Sequence, residues 1–325
     1  SLPDGRLLRV VETQAGGIDA LAFSPDGDFL TSSHGDQAVR VWAIDTPIVA
    51  NSQPDLRLVH TLPGHSQIIW SVAFAPRPPK KETGQRARLL VASGSSDQTV
   101  RVWDGEMGHS LYTLRGQPRA LGSLAIVPWP AAQNGDWLLA AVGYDRLVHL
   151  WQGQGSQTDP TPRSLAGKNG PLYTVAISPD GRTLASAGRD LSISIWDVAK
   201  REMGQSLSGH TESVTCLVFH PAGTGLASGS TDGTVRLWEK DAAGRYAPSQ
   251  TGAVLQANLR YVYDIAFHSQ GHCLAAVGAD LHLRLWDMTQ SPPAEMAGAG
   301  KRVETEGEQD IFCVAFSPNG RWLAC

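Results

Sequence analysis

Residues Gly209–Trp238 read GHTESVTCLVFHPAGTGLASGSTDGTVRLW, three short strand-like runs separated by two turns. The second run, Leu226-Ala227-Ser228, meets an Asp-containing turn, and the third ends at Trp238, six residues after Asp232. The same spacing recurs at Asp36/Trp42, Asp97/Trp103, Asp145/Trp151, Asp190/Trp196 and Asp280/Trp286. A pattern returning at one phase marks a chain built from stacked supersecondary units that share a continuous core. The 325 residues therefore read as one domain, where length alone suggests two of roughly 150 residues each.

Working outward, the apolar residue that ends each unit's first strand is Phe23, Phe74, Ile126, Ile177, Phe219, Phe267 and Phe316, at intervals of 51, 52, 51, 42, 48 and 49 residues. A first strand such as Ser71-Val72-Ala73-Phe74 runs into a turn like Ser24-Pro25-Asp26-Gly27 or Ser178-Pro179-Asp180-Gly181, where Pro presets φ and Gly accepts a positive one. Val100-Arg101-Val102-Trp103 alternates with the period of two that a half-buried strand requires. The 34 glycines and 20 prolines suit many short strands joined by tight turns.

The Gly-His pair, the Asp turn and the Trp-ended strand resemble the WD repeat, and the resemblance covers nearly the whole chain. It implies an all-β, seven-bladed β-propeller of four-stranded antiparallel blades, spanning residues 1–325. Blades are expected at about 14–62, 63–114, 115–165, 166–207, 208–256, 257–305 and 306–325. The last blade is incomplete, because Cys325 aligns with Ser93, Ser186 and Ser228, before its Asp turn. By the resemblance, Leu7–Val11 closes that blade as its outer strand, and the chain is a fragment of a longer, bacterial-type WD-repeat protein. Insertions fall at first-to-second and third-to-outer connections, which emerge on the rim the family calls the bottom. They include the basic run at 76–88 (Arg77, Lys80, Lys81, Arg86, Arg88), read as a solvated loop.

A net charge of -4 gives no attraction to phosphate backbones, so nucleic acid is not an expected partner. No apolar run of about 18 residues marks a membrane span. Cys216 and Cys313 fall in first strands and Cys273 and Cys325 in second strands, positions that suit free, buried thiols and a reducing, cytoplasmic compartment.

In WD repeats the Trp indole, a second-strand hydroxyl, the His of Gly-His and the turn Asp form a buried hydrogen-bonded chain. Here the full set occurs twice, as His65, Ser93, Asp97, Trp103 and as His210, Ser228, Asp232, Trp238. The other units put Gln14, Gln117, Lys168, Asn258 or Gly307 at the His position, and Ala141 or Ala276 at the Ser position. Ser, His and Asp in one network are not read as a hydrolase triad, because the hydroxyl is spent on Trp inside a blade. Arg40, Arg101, Arg236 and Arg284, each two before a Trp, belong to the same repeat pattern and not to a nucleic-acid stripe. No G-x-S-x-G occurs, and Ala297–Lys301 lacks the first Gly of a P-loop. His268, His272 and Cys273 are the one metal-like cluster, without a second ligand pair nearby. No cofactor and no metal are expected.

The resemblance also places two first-strand positions on the rim around the channel, where partners bind. Four before the aligned Phe or Ile stand Asp19, Trp70, Gly122, Tyr173, Thr215, Tyr263 and Phe312; six before it stand Gly17, Ile68, Ala120, Pro171, Ser213, Tyr261 and Asp310. Tyr144 and Arg189, just before the turn Asp, join them. Exposed aromatics with Arg are the usual substance of interface hot spots. The partner-binding set is therefore Trp70, Tyr144, Tyr173, Arg189, Tyr261, Tyr263 and Phe312, in a non-catalytic scaffold for a protein or peptide. Two other functions remain open. One is a sensor module of a larger signalling enzyme, linked to NTPase, kinase or protease domains. The other is a channel metallo-enzyme using Asp19, Asp264 and Asp310.

Overall fold

A computed structural model describes the chain apart from residues 1–9, 12, 14, 46–54, 76–87, 116–118, 129–136, 155–156, 159–160, 168–169, 251, 253, 258–259, 297–300 and 303–309. Every element among the described residues is a β-strand, and every pairing is antiparallel. No helix is long and apolar enough to cross a membrane.

The strands form six successive meanders. Blade 2 shows the plan: inner strand Ile69–Phe74, second strand Leu90–Ser95, third strand Val100–Asp104 and outer strand His109–Leu114, hydrogen-bonded in that order. Blade 1 (Leu21–Phe23 to Asp55–Leu62) and blade 4 (Leu172–Ile177 to Glu202–Ser208) repeat it. Blades 3, 5 and 6, whose inner strands are Leu121–Pro128, Val214–Phe219 and Val262–Phe267, add a fifth short segment on the outer side. Inner strands of successive blades touch around the ring, and Ala315–Phe316 touches both Val262–Phe267 and Leu21–Phe23.

The seventh unit is not a blade. Ala315–Phe316 pairs only with Leu323–Ala324, so the described residues make six blades and one two-stranded hairpin, where seven blades are expected. Cys325 follows the hairpin's second strand, Leu323–Ala324. Of the expected closing strand Leu7–Val11, residues 7–9 lie outside the described residues, and Val10 and Val11 belong to no strand.

Burial follows each strand's place in its blade. Second strands such as Leu90–Ser95, Gly225–Ser230 and Cys273–Gly278 are buried at every residue, because neighbouring blades cover both faces. Third strands alternate in part, as Val100-Arg101-Val102 does, and outer strands are less buried, Glu202–Ser208 being exposed at most of its residues. Core clusters lie between successive blades, so blades 2 to 6 each contribute to two clusters. The blades approach closely enough that a Cβ at Gly94 would sit 3.2 Å from Leu124 of the next blade.

The turn Asp has one task in all six blades. Its Oδ1 accepts the N–H two residues on: Ala38, Thr99, Leu147, Ser192, Thr234 and His282, at 2.9–3.4 Å. The residue between takes the left-handed conformation, φ 65–79°, although only blade 5 has a Gly there (Gly233); the others are Gln37, Gln98, Arg146, Leu191 and Leu281. The Asp side chain thus holds a turn that costs a non-Gly residue energy.

The basic insertion lies outside the described residues except Arg88, whose Nε meets Asp104 at 2.9 Å. All four cysteines are free; three are buried, and Cys325 is exposed, contrary to the expectation of buried thiols throughout. Burial raises the Cys216 and Cys313 thiols well above the ordinary range and Cys273 to about 11.

Candidate functional site

Inside blades 2 and 5 the polar chain is complete. Trp103 Nε1 donates to Ser93 Oγ (2.8 Å), Ser93 Oγ meets His65 Nε2 (2.8 Å), and His65 Nδ1 meets Asp97 Oδ2 (2.8 Å). Trp238, Ser228, His210 and Asp232 repeat it at 2.8–2.9 Å. The Trp donor leaves Ser to donate to Nε2, which fixes the proton of a neutral imidazole on Nδ1, facing the carboxylate. Burial lowers the pKa of both histidines, and their Asp partners do not fully offset it. Every polar atom along this line is spent inside the blade, so it offers no nucleophile to a substrate.

Elsewhere the network survives in altered form. In blade 1, Trp42 donates to Ser32, and Ser32 meets His34 Nε2 at 2.7 Å. His34 lies two residues before the turn Asp, not at the Gly-His phase, and burial lowers its pKa to about 4. In blade 3, His149 replaces the usual Arg two before Trp151; it meets Asp145 at 2.6 Å and Ser164 at 2.9 Å. Repeat phase does not find either histidine, since each sits where another blade holds a different residue type. Gln14, Gln117, Lys168, Asn258 and Gly307 lie outside the described residues. The Arg two before Trp follows the same division. Arg40 and Arg284 pair with the turn Asp of their blades, whereas beside the complete chain of blade 2 Arg101 lies over the Trp103 ring at 5.6 Å.

The rim is built by a repeated irregularity. In blades 2, 4, 5 and 6 the inner-to-second register skips at Trp70, Tyr173, Thr215 and Tyr263, and in blade 3 the slip leaves out Gly122. These are the positions four before the aligned Phe or Ile. A bulged residue leaves the ladder and its side chain is re-aimed, which is why this position varies while its neighbours pack. The carbonyl two residues earlier (Gly17, Ile68, Ala120, Pro171, Ser213, Tyr261) accepts the N–H of the residue before the turn Asp, so bulge and turn share one rim.

Trp70, Tyr144 and Phe312 are 44, 48 and 46 % exposed; Arg189 is exposed, and Tyr173, Tyr261 and Tyr263 are half-buried. Tyr263 stacks on Phe312 (5.2 Å between centroids) and neighbours Tyr261 (6.4 Å), while its hydroxyl donates to Asp310 (3.1 Å). Tyr144 and Tyr173 make a second pair at 6.0 Å, and Trp70 Nε1 donates to Ser96. Exposed Ile68 and Leu191 belong to the same rim. Leu191 sits at a left-handed turn position where Gly is cheaper, a signal visible only once the turn is seen.

Among the described residues no three His, Cys, Asp or Glu side chains gather where a metal ion could be held. Both Asp264 oxygens accept backbone N–H groups, from Ile265 and Val314. The His268 and His272 rings lie 3.9 Å apart and tilted by 37°, but His268 Nδ1 accepts from Gln270 N–H, and the Cys273 thiol faces Met296.

The sequence pattern of the family described as WD domain, G-beta repeat matches residues 5–43, 56–104, 161–197, 201–239, 249–287 and 300–325. The chain belongs to this WD-repeat family. The one WD repeat left unmatched over its first three strands is blade 3, which has lost both Ser and Arg of the pattern yet forms its five-stranded sheet. Curated relatives carry the name nuclear distribution protein. The PAC1 protein of Arthroderma otae is 32% identical over 188 residues, covering 55% of this chain and 37% of its own. That of Gibberella zeae is 27% identical over 270 residues (77% and 55%), and nudF of Aspergillus niger 24% over 250 (70% and 51%). These relatives are fungal, where a bacterial type is expected from the repeats. The chain spans between about a third and about half of their length.

Proposed function

We propose that this chain is a non-catalytic scaffold whose bulge-bearing rim binds a protein or peptide partner. The observation that carries it is the concentration of exposed apolar side chains (Ile68, Trp70, Tyr144, Leu191, Phe312) on the rim where the bulges and Asp turns meet. Large aromatics bury much area at small rotamer cost, so such a set supports binding to a partner of comparable breadth. Single-domain organisation and attachment to further domains of a longer chain belong to the same proposal. So does a cytoplasmic location, which the unbridged cysteines support. The curated relatives are named for nuclear distribution, and no rim residue assigns that process to this chain.

The test uses peptides enriched from a random displayed library against the chain. Tyr263→Ala with Phe312→Ala is expected to cost their binding about 2–4 kcal/mol, with little change in thermal stability, because hot spots dominate affinity while exposed positions contribute little to folding. Enriched peptides that bind the double variant as tightly as the parent contradict the assignment.

A further inference from the structure

The rim carries unpaired charge of opposite sign on opposite sides of the channel mouth. In blades 3 and 4, Arg119, Arg146 and Arg189 are exposed around Tyr144 and Tyr173, and no carboxylate pairs with them among the described residues. Arg146 occupies the exposed left-handed position of the Asp145 turn, two residues after Tyr144. Across the ring, Asp310 of the seventh unit lies against the Tyr263–Phe312 stack, and Asp19 of the adjoining blade 1 is close enough for its charge to act on Cys313, the residue after Phe312. Asp310 accepts only the Tyr263 hydroxyl, and no cation meets either carboxylate among the described residues. The environment of Asp19 is uncompensated: burial alone raises its pKa. Of the remaining rim charges, Arg260 is laid over the Tyr261 ring (5.5 Å), the turn aspartates are bound into their own blades, and Glu212 stands on blade 5 between the two sectors.

An aromatic stack with two unpaired carboxylates near it accepts a cation, since ring faces and carboxylates attract the same charge. Three free guanidinium groups beside two tyrosines accept carboxylates. Both sectors open on one rim, so one extended segment crossing the channel mouth can engage both. Resting on the scaffold function proposed above, we infer that the partner segment is itself divided in charge. A Lys or Arg side chain sits on Tyr263 and Phe312 between Asp19 and Asp310, and Asp or Glu side chains face Arg119, Arg146 and Arg189. The arrangement also fixes the direction in which the segment lies, because the reversed segment sets like charges against each other.

The experiment compares the peptides that the parent chain enriches from a random library with those enriched by Arg146→Glu/Arg189→Glu. The parent is expected to select peptides with basic residues toward one end and acidic residues toward the other. Asp19→Asn/Asp310→Asn should weaken them at least tenfold, and the Arg-to-Glu variant should select peptides basic at both ends. Peptides that need Tyr263 and Phe312 yet show no charge segregation, or that bind both charge variants as well as the parent, overturn this inference and leave the scaffold function standing. A library that yields no peptide dependent on the rim aromatics overturns the scaffold function as well. Thermal melts of each variant establish that the fold is intact.

Discussion

The six turn aspartates show why some residues of a repeat persist and others erode. In every blade Asp closes the turn through the N–H two residues on, and that task needs no partner from another strand. At the Gly-His phase, His65 and His210 bridge the turn Asp to the second-strand hydroxyls of Ser93 and Ser228. Blade 6, with Ala276, pairs its Asp with Arg284 instead. Trp103→Phe removes an indole donor and leaves the Ser93 hydroxyl short of a partner in a fully buried site, whereas Trp286→Phe chiefly loses packing. Denaturant titrations should show Trp103→Phe more destabilising by about 1 kcal/mol or more, the cost of a buried group left unsatisfied; equal losses would mean that the chain of hydrogen bonds contributes nothing. The two complete sets were legible in the sequence because all four members fall at one phase. His34 and His149 were not, because each reaches the same hydroxyl or carboxylate from a different place in the blade.

Between elements, inner strands are tied to one another by a recurring side-chain bond. The residue three before the aligned Phe or Ile accepts an N–H from the next inner strand: Ser71 from Leu124, Ser123 from Val175 and Asp264 from Val314. Asp264 stands where other blades hold Ala20, Ser71, Ser123, Thr174 or Cys216, and burial raises its pKa to about 7 despite two N–H donors. Its charge acts on the buried thiols of Cys216 and Cys313. Between about pH 4 and 7 the folded chain therefore holds a proton at Asp264 that the unfolded chain has lost, so this group's contribution to stability falls as pH rises from about 4 to 7 and is level above. Asp264→Asn keeps an acceptor for Val314 without the charge. Its stability relative to the parent should improve by about 2 kcal/mol or more between pH 4.5 and pH 8, because only the parent must give up that proton over this range. A difference independent of pH would mean that the carboxyl is solvated at this seam. Strand order and strand ends were readable from the period of two and the Pro-Asp-Gly turns. The bulges were not, since a one-residue slip in pairing leaves no mark on composition; only the variability at Trp70, Tyr173 and Tyr263 hinted at them.

At the scale of the molecule, six blades and a hairpin make a ring with one rim of loops and one rim of bulges and Asp turns. The repeat made the ring legible because each unit can bury its faces only against its neighbours. Seven first strands imply seven blades with the last incomplete, whereas among the described residues there are six blades, because Ala315–Phe316 gains only one partner strand. The candidate site was legible as a set of positions, but its organisation into a Tyr263–Phe312 stack and a Tyr144–Tyr173 pair depends on neighbouring blades meeting in space. Cross-linking tests most directly whether the bulge-bearing rim is the partner face. Benzoylphenylalanine is placed in place of Phe312 or, at an exposed third-to-outer connection, in place of Met107, and is irradiated with peptides selected against the unmodified chain. Efficient cross-links from position 312 and none from position 107 are the predicted result; equal yields from both positions, or cross-links from 107 alone, would contradict it.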